Sequence, residues 1–153
     1  MRAHVDSRLG AAVLVVGLAA AVLTGCGGSD TAATCTPADA ATVQGITDAL
    51  TLYPEIGATL DGQAEQVPAA ASFNNGASEY RALIAARLAP SGEVGLWGAL
   101  YSNVNGAYFG AQPLNPAAVA SMPDAAPNDP DVAGTVRDLV ESDAARQVIA
   151  CVK

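Results

Sequence analysis

Three cysteines, Cys26, Cys35 and Cys151, are the most reactive side chains of this 153-residue chain. As thiolates they would be nucleophiles or zinc ligands, and in an oxidising compartment two of them would pair. The single histidine, His4, lies in an amino-terminal segment with the marks of an export leader. In it Arg2, His4 and Arg8 precede an apolar run from about Leu9 to Leu23. With the leader removed, no site has a histidine base, a Ser-His-Asp triad or a histidine metal ligand. Carboxylates remain. Asp61 with Glu65, and Asp138 with Glu141, would share helix faces and offer acid and base chemistry to a hydrolase. A solvated acidic face is the simpler reading, because Arg137 stands four residues before Glu141 and can pair with it. Asn128, Asp129 and Asp131 lack the ordered spacing and bidentate glutamate of a calcium loop, so no metal is expected. Gly92, Gly95 and Gly98 do not form a nucleotide fingerprint, and close backbone packing explains them better.

The apolar run is short for a hydrocarbon core of about 30 Å, which needs roughly 20 residues, so cleavage is expected rather than a permanent span. Its end, Leu23-Thr24-Gly25-Cys26, resembles the lipobox of bacterial lipoproteins: aliphatic, small, small, cysteine. The resemblance covers the leader alone. It implies a signal peptide over 1–25, a diacylglyceryl group on Cys26, and a membrane anchor facing the extracytoplasmic side. Two or three acyl chains, at about 0.8 kcal/mol per buried methylene, exceed the marginal one-chain case. The alternative is a secreted, clipped chain without lipid.

With Cys26 taken by lipid, Cys35 and Cys151 remain in an exported chain, and a disulfide between them is the simplest account. Two free thiols are the alternative. A bridge closing about 115 residues would contribute on the order of 4 to 5 kcal/mol in the chain-entropy model. Removing residues 1–25 leaves 128, enough for one ordinary domain. Its five cations, Arg81, Arg87, Arg137, Arg146 and Lys153, are scattered among fourteen acidic residues, giving a net charge of −9. Such a surface disfavours nucleic acid and anionic lipid as partners. A high alanine content with one lysine suggests a GC-rich genome, such as an actinobacterium's.

Positioning these residues falls to the secondary structure. Residues 26–35, with GGSDTAAT at 27–34, read as a flexible tether, and 36–153 as the folded domain. Thr36 and Pro37 suit a helix start, and Val43, Ile46, Leu50 and Tyr53 recur at helical spacing. A weaker helix opens at Pro54 with Ile56 and Leu60. After the turn signal Asn74-Asn75-Gly76, the positions Tyr80, Leu83, Ile84, Arg87 and Leu88 define a helix over about 77–89. Residues 91–110 fit a helical stripe of Trp97, Leu100, Tyr101, Val104 and Tyr108, although Asn105-Gly106 is also a hairpin signal. A helix is preferred there, because a lone hairpin would lack sheet partners. Further helices start at Asn115-Pro116, at Asp129-Pro130 and at Ser142-Asp143, the last ending at Cys151. The expectation is an all-α bundle of about five to six helices, its ends joined by the disulfide.

Residues 35–56, a cysteine before a capped helix ending in Tyr53-Pro54-Glu55, are similar to the opening of the mycobacterial haemophore family. That resemblance spans about 22 residues. It implies a small exported helical haem binder and puts Tyr53 forward as haem ligand, tyrosinate being an acceptable one. Trp97, Tyr101 and Tyr108 would line an apolar pocket for a lipid or other small ligand, or form the core. The leading expectation is a non-catalytic envelope lipoprotein without cofactor that binds an apolar ligand or an envelope protein. A haem carrier and an acidic-pair hydrolase are the alternatives.

Overall fold

A computed structural model describes residues 34–73 and 76–152. Its centre is a five-stranded antiparallel sheet in the order β1-β2-β3-β4-β5: Thr36–Pro37, Thr59–Phe73, Ser78–Ala89, Val94–Ser102 and Tyr108–Pro113. Four short helices accompany it: α1 (Ala40–Leu50), α2 (Pro116–Ser121), α3 (Pro130–Val140) and α4 (Asp143–Cys151). The expected all-α bundle is therefore wrong. The segment expected as the helix 77–89 is strand β3, and 91–110 is a hairpin of β4 and β5, not a helix. The expected helix at Pro54 is a turn leading into β2.

The cause lies in double-sided burial. Tyr80, Leu83 and Ala85 of β3 face a core shared with Val132, Val136 and Leu139 of α3 and Ala145 and Val148 of α4. The alternate residues Ile84, Ala86 and Leu88 face a second core with Ile46 and Leu50 of α1, Ala118 of α2, and Met122. A strand covered on both faces carries an unbroken apolar run, and such a run satisfies helical spacing by accident. β4 repeats the pattern, with Leu96 in the first core and Trp97 in the second. Once β2 and β3 exist, the Asn105-Gly106 hairpin has the sheet partners it was expected to lack. Gly106 takes a φ of +69° in that turn.

The helix starts are local chemistry. Asp39, not Thr36, caps α1: its carboxylate accepts from the Ala41 amide at 2.9 Å, while Thr36 and Pro37 pair with Gln66 and Glu65 of β2. Asn115 caps α2 by accepting from the Ala118 amide at 3.0 Å. The same side chain accepts from Leu96 N at 2.9 Å and donates to Val94 O at 2.8 Å, tying the helix to β4. Ser142 caps α4. Cys35 and Cys151 form the expected disulfide, with Cα atoms 6.5 Å apart.

Candidate functional site

Four aromatic residues singled out from the sequence gather on the sheet face covered by α1 and α2. Trp97 is wholly buried, and its indole N–H points at Met122 Sδ at 3.4 Å. Tyr53, two residues beyond the α1 cap, is half-buried against this core. Tyr101 and Tyr108 meet edge to face, ring centroids 5.5 Å apart, and the Arg81 guanidinium lies 4.7 Å above the Tyr101 ring.

Tyr108 stands closest to unusual chemistry. Its ring lies so near Gly45 that a Cβ there would come within 2.8 Å of the phenol oxygen. That oxygen is buried and meets no hydrogen-bond partner among the described residues. Burial pushes the phenol pKa up; Thr42 opposes the shift from nearby without reaching hydrogen-bond geometry, and the Asp39 charge adds to it. The Thr42 hydroxyl is already committed to Asp39, whose pKa it lowers first, against burial and with help from the backbone amides of Ala41 and Thr42.

Beside Tyr108 runs a groove of about 600 Å³, walled by Asp48 and Ala49 in the last turn of α1, by Leu52 just beyond its cap, and by Tyr108 to Ala111 of β5. Met122 and Ala125 close its far side. Two large apolar side chains in its wall face solvent, Leu52 at 74% and Phe109 at 55% exposure. Neither was singled out from the sequence. A strand reading of the residues after Asn105-Gly106 would have drawn attention to Phe109, since it places Tyr108 and Phe109 on an edge. A smaller pocket of about 280 Å³ lies at the other end of the sheet, between Leu88, Pro90 and Ala120.

Neither acidic pair lies on one helix face, contrary to expectation. Asp61 and Glu65 sit on strand β2 rather than a helix, with Asp61 opposite Arg87 in register. Asp138 and Glu141 are both exposed, and Arg137 pairs with Asp138 at 3.6 Å instead of with Glu141. Asn128 and Asp129 border a cleft with Phe73 and Val132. Among the described residues no three His, Cys, Asp or Glu side chains cluster to hold a metal. No described helix is long and apolar enough to cross a membrane. Cys26, the leader and all but the end of the tether lie outside the described residues. No protein-family model, curated protein or solved structure matches this chain.

Proposed function

We propose that the chain is an exported envelope lipoprotein, held on the outer side of the cell membrane by acylated Cys26, whose domain is a non-catalytic binding module acting through the α1 and β5 groove. The observation that carries this reading is the exposed apolar wall, Leu52 and Phe109 lining one groove with Tyr108 and Met122. Large apolar side chains grouped and left in water mark an interaction surface, whereas single ones do not. The lipobox supports the anchor, and a leader that takes the only histidine with it supports a non-catalytic role.

Photolabelling the full-length chain with the apolar diazirine 3-trifluoromethyl-3-phenyldiazirine, mapped by mass spectrometry, tests the groove. Label is expected to concentrate at Leu52, Phe109 and Met122, and to exceed that at Val104, which is 86% exposed but does not line the groove. Equal labelling at Val104 would reduce the groove to mere exposure. A haemin titration separates this reading from a Tyr53-ligated carrier: a Soret shift abolished by Tyr53→Phe would replace it.

A further inference from the structure

The groove is bounded by a strand with one side unpaired. β5 is the last strand of the sheet. Leu114 donates to Leu96 O at 2.8 Å, so by antiparallel alternation Gln112 and Gly110 also turn their peptide groups towards β4 and Ala111 turns its own away. The register shift between Tyr108 and Gly110 leaves Phe109 bulged. Among the described residues no backbone hydrogen bond joins the outer side of β5 to another element. These groups must be satisfied by water or by an added strand.

Charge and length choose the occupant. Among the described residues the groove wall contains the carboxylate of Asp48 and no cation, and the exposed Asp124 adjoins Ala125. A second copy would set the same carboxylates against each other, on a chain whose net charge is −8. The bulge at Phe109 and the missing N–H of Pro113 confine regular pairing to the few residues between them, which suits a short peptide better than sheet-to-sheet dimerisation. We propose that β5 takes up, as a sixth strand, an extended peptide segment that presents both apolar and basic residues on its groove-facing side. Of the side chains it turns to the groove, the apolar ones pack beside Leu52 and Phe109 and a cation two positions along the strand meets Asp48. This inference rests on the groove being the binding surface.

The test uses the full-length chain in neutral detergent micelles and a fluorescein-labelled octapeptide of Val-Val-Lys-Lys repeated, which shows both residue types on each face of a strand, read by anisotropy against micelles alone. Two companion peptides share its length: one N-methylated at alternate amides, the other with Glu in place of Lys. The Lys and Val peptide is expected to bind, and N-methylation to weaken it by about tenfold or more through lost main-chain hydrogen bonds. The Glu peptide is expected not to bind. Ala111→Pro, which removes the outward N–H, should weaken binding as methylation does. Should that variant fail to fold, as reported by Trp97 fluorescence, Phe109→Lys keeps the edge amide and is expected to repel the basic peptide. Equal binding of the methylated and unmethylated peptides would overturn strand addition, and concentration-dependent dimerisation lost in Phe109→Lys would assign the edge to a second copy. No peptide binding alongside diazirine label in the groove would overturn the occupant and leave the binding surface standing. Loss of both would remove the surface itself.

Discussion

Single residues here are governed by what covers them. Tyr80 is wholly buried, stacks against Phe73 with centroids 5.0 Å apart, and donates its hydroxyl to Gln112 Oε1. Burial pushes its phenol up to about 12 from 10.0. The neutral phenol is therefore the form the fold favours. Its contribution is fully present below pH 10 and is lost as pH rises towards 12, because the unfolded chain gives up the proton first. Urea midpoints measured at rising alkaline pH should fall more steeply for the wild type than for Tyr80→Phe, and parallel falls would separate Tyr80 from alkaline unfolding. Nothing in the residue type announced this, since a tyrosine at helical spacing reads the same in a helix or a strand. The aromatics show both outcomes. Trp97, Tyr101 and Tyr108 were expected to share the face of a helix and share a sheet face as strand residues instead, whereas the exposure of Phe109 required knowing that it lies on an edge strand.

Elements depend on close approach across the sheet. Gly95 and Gly98 of β4 leave room for the rings of Trp97 and Tyr80, on opposite faces, and an added Cβ at either would overlap its ring. Gly98→Ala is expected to destabilise the domain by about 1 to 3 kcal/mol through overpacking, seen as a lower urea midpoint. An unchanged midpoint would mean that Tyr80 has space to move. Close packing of these glycines was expected from the sequence, but Gly92, grouped with them, instead serves the β3 to β4 turn with a φ of +74°. Helix starts were the more legible feature. Asn115, Pro130 and Ser142 stand where α2, α3 and α4 begin, because a cap is a contact between near neighbours in the chain. Strand pairing has no such local signature. β3 bonds to β2 on one side and to β4 on the other, and its alanine-rich apolar run conceals a period of two.

At the scale of the whole molecule the disulfide joins the start of the sheet to the last helix, across a separation of 116 residues. Cys35 and α4 also belong to one core, with Val148 buried and Ile149 and Val152 packed against it. Replacing Cys151 by Ser should cost about 4 to 5 kcal/mol in the chain-entropy model, measured by urea unfolding of both proteins under non-reducing conditions. A midpoint equal to the wild type's would mean that packing alone holds the ends. The sequence by itself determined the acidic charge, a single histidine at position 4, the pairing of Cys35 with Cys151, and the starts of three helices. Composition and near-neighbour chemistry need no third dimension. Only the tertiary structure decided that residues 78–89, 94–102 and 108–113 are strands and that an apolar groove opens beside β5. The reason is where the hydrogen bonds close: a helix satisfies its backbone within its own segment, whereas a strand satisfies it on a neighbour far along the chain, which local spacing does not record.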